Sequence, residues 1–161
     1  MKRFLALCLA TFAFSAFSAS HKTTGPTQLD DLIRGEMAAV KAYDTLISKS
    51  RDKKELASLK AMRADHVKAV ETLKAKNMNR DVAEDTRTVG PWGTFAESWV
   101  AGGKLFGDKA ALRALRQGEE HGIDEYEEAL EDDDISADIK RVIRDDLLPR
   151  QKAHLKTINS Y

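Results

Sequence analysis

One helical pattern stands twice in this chain, and both copies depart from the ordinary pattern at the same places. Leu29, Leu32, Gly35, Glu36, Val40 and Tyr43 recur in the same order and spacing as Leu112, Leu115, Gly118, Glu119, Ile123 and Tyr126. Steps of three and four residues put each set on one face of a helix. A glutamate and a tyrosine interrupt each face where apolar residues are expected. A buried polar group must find partners or cost stability. The repeat therefore requires two helices that bury a Glu and a Tyr against something able to satisfy them.

The stretches that follow each copy supply such groups. Over 52–77 the spacing predicts a helix with Leu56, Leu59, Arg63, His66, Val70 and Leu73 on one face. Over 136–160 it predicts another, with Ile139, Val142, Ile143, Leu147, Gln151, His154 and Ile158 on its inner face; Pro149 must kink or restart it. The repeated helices span 27–50 and 108–131. Ala64-Asp65-His66-Val67 resembles Lys152-Ala153-His154-Leu155, so the duplication reaches the second helix of each half. The chain reads as two helical hairpins. Arg51-Asp52 is a tight connection that makes the first pair antiparallel, and Glu36 and His66 lie equally far from Arg51, hence at one level.

The long connection between the hairpins carries Phe95, Trp99 and Phe106 at helical spacing, which predicts a short extra helix over 92–106. With Trp92 these aromatics are expected to cap the core. The acidic run 131–134 is a turn; it lacks the alternating ligands and glycine of a calcium loop.

The first twenty residues look like a secretory signal: Lys2 and Arg3, an apolar run, then small residues at Ser18, Ala19 and Ser20. The expected organisation is a signal at 1–20, a tether at 21–28 and one helical domain at 29–160. The expected location is periplasmic or secreted, with no stable membrane insertion once the signal is gone. Cys8, the single cysteine, leaves with the signal, so the mature chain makes no disulfide. The mature chain carries 24 basic and 26 acidic residues against 26 and 26 in the whole, which argues against nucleic-acid binding. It contains no P-loop, dinucleotide glycine motif or nucleophile elbow. A homo-oligomer is compatible with this pattern, and nothing in it specifies a physiological partner.

Two hairpins, a long crossover and inward Glu36, His66, Glu119 and His154 resemble the ferritin-like superfamily. Within it the chain is similar to small bacterial four-helix-bundle domains of unknown function that share the Gly-Glu-x6-Tyr pattern, here Gly118-Glu119 and Tyr126. The resemblance covers Leu29 to Ile158 and implies an all-α, up-down four-helix bundle. Di-metal members of such bundles carry Glu-x-x-His on two helices. Here Arg63 and Gln151 stand three residues before His66 and His154, where those glutamates would be. A pair of divalent ions would meet too little negative charge.

Two readings follow. In the first, Glu36, Tyr43, Arg63, His66, Glu119, Tyr126, Gln151 and His154 form a metal-free polar core, with no catalytic residue, in an exported bundle of structural, stress or interaction role. In the alternative, Glu36, His66, Glu119 and His154 hold a single iron, manganese or zinc ion in a metal-binding or redox protein. An acid/base pair of Glu36 and Glu119 is a third use of the same residues. Arg63 separates the first two: pointing inward it disfavours a cation, and snorkelling outward it leaves the site free.

Overall fold

A computed structural model describes residues 28–77 and 109–161. Those residues form helices and no strand. The first is α1, Gln28–Lys49, and the second α2, Lys53–Lys76. Next comes α3, Lys109–Glu131. The last rod has three consecutive parts: α4, Ala137–Val142; a π-helical turn, Ile143–Leu147; and α5, Leu148–Ile158. The expected signal, nearly all of the tether and the helix over 92–106, with Trp92, Phe95, Trp99 and Phe106, lie outside the described residues.

Local chemistry explains the boundaries. Asp52 caps α2, its carboxylate accepting from the Lys54 and Glu55 amides at 2.8 and 2.9 Å. Ser136 caps α4 by accepting from the Ile139 amide. Pro149 has no N–H to give back to the preceding turn. The α-helix restarts at Leu148 with Pro149 in its first turn, after a widened turn in which the Leu148 amide reaches back five residues to the Ile143 carbonyl.

Directions follow from the pairs that touch. On α1, Asp30 meets Asn77, which caps the end of α2, and Glu36 and Asp44 meet His66 and Arg63 of α2, so the two helices are antiparallel. Glu36 and Tyr43 meet Tyr126 and Glu119 of α3, also antiparallel. Ser58 of α2 meets Tyr161, just past the last rod, and Asp65 and Lys68 meet His154 and Asp146 within it, antiparallel again. It follows that α2 and α3 run the same way. The end of α2 and the start of α3 therefore lie at opposite ends of the bundle.

The packing explains why one level differs from the others. One apolar cluster gathers Leu29, Leu32, Ile33, Leu73, Ala129 and Ile143. A second gathers Ala39, Ala42, Leu46, Leu59, Leu115 and Ile158. On every rod the polar interruption falls between these clusters: Glu36 on α1, His66 on α2, Glu119 on α3, and Gln151 with His154 on α5. All five are buried. The two apolar layers seal a polar layer from above and below, which raises the strength of every interaction inside it.

Candidate metal centre

Glu119 is the hub of the polar layer and is fully buried. Its Oε1 accepts from the Tyr43 hydroxyl and lies 3.3 Å from His66 Nε2. Its Oε2 lies 3.4 Å from His154 Nδ1. Each histidine is backed on its outer side by a second carboxylate. His66 Nδ1 is 2.7 Å from Glu36 Oε2. His154 Nε2 is 3.2 Å from Asp65 Oδ2. Tyr126 donates to Glu36 Oε1 at 2.5 Å. The tyrosines thus cross between the repeats: each donates to the glutamate of the other copy. This explains why Glu and Tyr recur together.

The charges respond to one another. Burial pushes the His66 pKa down, but Glu36 and Glu119 outweigh it and hold it up at about 10. Burial pushes Glu119 up, and His66 with His154 brings it down to about 2. Tyr43 and Tyr126 are raised well above 10, by burial and then by the carboxylates they touch, and stay neutral donors. For Asp65, burial acts upward and is overcome by His154 and Arg150, so its pKa is lowered.

A carboxylate only accepts, and each ring stands between two of them, Glu36 and Glu119 for His66, Asp65 and Glu119 for His154. His66 Nε2 and His154 Nδ1 are the nitrogens turned inward, toward the two oxygens of Glu119. Two of these inner atoms, Glu119 Oε2 and His154 Nδ1, are buried without any hydrogen-bond partner. These two atoms face each other at 3.4 Å, and either a proton on the ring nitrogen or a cation between them would satisfy both. His66 Nε2 lies 3.3 Å from Glu119 Oε1 and His154 Nδ1 lies 3.4 Å from Glu119 Oε2. The ligating atoms of His66, Glu119 and His154 all lie within 4.8 Å of one another. Carboxylates that orient ligating histidines from outside are the usual support of a metal site, and Glu36 and Asp65 stand in those places.

Two expected roles need correction. Arg63 is not in the core network. Its guanidinium bonds Asp44 on α1 at 2.5 and 3.0 Å, and about a third of the side chain is exposed. Being three residues before His66, it is rotated about 60° from it, and its long stem carries the charge out to solvent. Glu36, expected as a ligand, sits behind His66 on the outer nitrogen. The other expected residues, Tyr43, His66, Glu119, Tyr126, Gln151 and His154, are buried at this level.

Asp65 and Arg150 were missed from sequence. Arg150 holds Asp65 at 2.7 Å and Asp146 at 2.5 Å, which fixes Asp65 under His154. The only signal for Asp65 was its place beside His66 where the other copy has Ala153.

A model of the family described as a domain of unknown function (DUF2383) matches residues 26–132, two thirds of the chain. The match takes in Glu36, His66 and Glu119 and ends before the rod that carries Gln151 and His154. No curated protein and no solved structure matches the chain.

Proposed function

The chain belongs to the DUF2383 family, a domain of unknown function, and we propose that it is an exported ferritin-like four-helix bundle holding one divalent transition-metal ion. Export rests on the signal-like residues 1–20, and ferritin-like topology on the parallel course of α2 and α3 within an otherwise antiparallel bundle. The proposed ligands are His66 Nε2, Glu119 and His154 Nδ1. Glu36 and Asp65 orient the two rings. The observation that carries the reading is the pair of buried, partnerless atoms Glu119 Oε2 and His154 Nδ1.

Electrostatics favours one ion over two. With Arg63 outside and Asp65 matched by Arg150, two buried carboxylates, Glu36 and Glu119, balance a single dication. Two histidines and one carboxylate leave coordination positions open and suit iron(II), manganese or zinc. An ion so held would meet water, oxygen or peroxide. The metal-free reading retains one supporting observation: Tyr126, Glu36, His66, Glu119 and Tyr43 form an unbroken chain of polar contacts.

Competition against a chromogenic chelator separates the roles. Wild-type protein is expected to take one zinc per chain. Glu119→Gln and His154→Ala should abolish tight binding. Glu36→Gln should weaken it about 10–100-fold, as expected for a supporting carboxylate. Arg63→Ala should leave it unchanged. Wild type that takes no zinc, or four variants that all match wild type, would overturn the reading.

A further inference from the structure

Apolar clusters close the polar layer from above and below, so anything that enters or leaves it passes between two rods. Of the four seams between neighbouring rods, the one joining α2 to the last rod is the most sparsely packed. A small cavity runs inward along it, from Asp65 and Arg150 to Glu36, His66 and His154. Its lining passes from surface to core. The Asp65 and Arg150 side chains are 34 % and 35 % exposed, and those of His154 and His66 6 % and 1 %. At about 10 Å³ the cavity has room for one water, so a cation with water still attached cannot pass until something moves. Arg150 lies across the outer end. Its Nη1 bonds Asp65 of α2 at 2.7 Å, and its Nε bonds Asp146, on the widened turn, at 2.5 Å. Both pairs are part-exposed, and such pairs hold only weakly against water. The long arginine stem lets the guanidinium swing out to solvent without unfolding the helix that carries it.

We propose that Arg150 is the gate on the ion's route: tied to Asp65 and Asp146 it closes the α2 seam, and swung into solvent it opens the cavity and leaves Asp65 to receive the entering cation. The proposal rests on the metal reading and gives it a path. Kinetics separate a gate from the other things an arginine in this place does. A gate scales entry and release alike, because one open population serves both, and affinity stays as it was. A residue that only holds Asp65 under His154 changes release and leaves entry alone. Repulsion between the guanidinium and the ion slows entry and hastens release, so its loss moves the two in opposite senses.

The test is stopped-flow mixing of the full chain. Metal-free protein mixed with zinc reads entry; zinc-loaded protein mixed with chelator, at concentrations where the rate has levelled off, reads release. Arg150→Ala is expected to speed both about tenfold, the bias that two part-exposed ion pairs give to the closed state, while zinc stoichiometry stays as in wild type and affinity stays within about threefold. Asp146→Ala cuts one tether and leaves Asp65 in place. It removes a negative charge from the mouth, which by attraction alone would slow a cation, yet the gate predicts entry and release both faster by about threefold. Circular dichroism checks that helix content is kept; if Arg150→Ala loses it, Asp146→Ala decides. Wild-type rates in the variants, release faster with entry unchanged, or slower entry in Asp146→Ala overturns the gate and leaves the metal reading standing. Wild type that takes no zinc overturns both.

Discussion

Glu119→Ala is expected to lower the stability of the metal-free protein by about 3–5 kcal/mol, the usual cost of removing one partner from a buried charge pair. Glu119 has no exposed surface and meets three side chains of the polar layer, Tyr43, His66 and His154. Without it the Tyr43 hydroxyl loses its carboxylate acceptor and His66 loses one of its two carboxylates. The apolar layers above and below cannot supply replacements. The contrast is Arg63→Ala. That residue makes a part-exposed pair with Asp44, and such pairs contribute about 0–1 kcal/mol. Urea or thermal unfolding of both variants measures the difference. Equal losses would mean that the polar layer holds the bundle no more firmly than a surface ion pair does.

The second large effect is on pH dependence. His66 ordinarily titrates at 6.5 and in the folded protein at about 10. A raised histidine gives stability that is complete below 6.5 and is lost as pH rises toward 10. Glu119 ordinarily titrates at 4.5 and here at about 2. A depressed carboxylate gives stability that is complete above 4.5 and is lost as pH falls toward 2. Both contributions describe the same coupled contact, so they are counted once. Glu125 adds a slope of its own: burial, then Glu36, Asp31 and Glu128, raise it from 4.5 to about 7, which lowers stability as pH rises across that range. The metal-free protein should therefore be most stable between pH 4.5 and 6.5. It should lose about 3–5 kcal/mol of the pair's contribution by pH 10. A bound ion reverses the alkaline trend. Its ligands must be deprotonated, so binding strengthens as pH rises. Melting curves at pH 5, 7 and 9, with chelator and with zinc, should diverge most at pH 9. A chelated protein that melts highest at pH 9 would contradict the charge assignment of His66.

The level of the site was legible because four polar residues sat at apolar positions. Glu36, His66, Glu119 and His154 each broke a helical face, and the duplication placed them in matched pairs. What the spacing could not show was direction within the layer. Arg63 occupies an inner position by periodicity, yet its stem is long enough to reach Asp44 in solvent. Glu36 and Glu119 are equivalent in the repeat, but one stands between the histidines and the other behind His66. That difference is set by packing of helices distant in sequence. Asp65 faces away from the stripe its own helix presents to α1; it meets the polar layer from the side of α5, through His154 and Arg150. Pro149 announced an irregularity, and the widened turn at Ile143–Leu147 is how the rod continues through it.

Anomalous diffraction at the metal edge, from crystals of zinc- or manganese-loaded protein, tests the central claim most directly. The account predicts one peak per chain, about 2.0–2.2 Å from His66 Nε2, His154 Nδ1 and a Glu119 oxygen, with Glu36 still on the outer nitrogen of His66. No peak in the polar layer, or an ion held by Glu36 in place of Glu119, would contradict it.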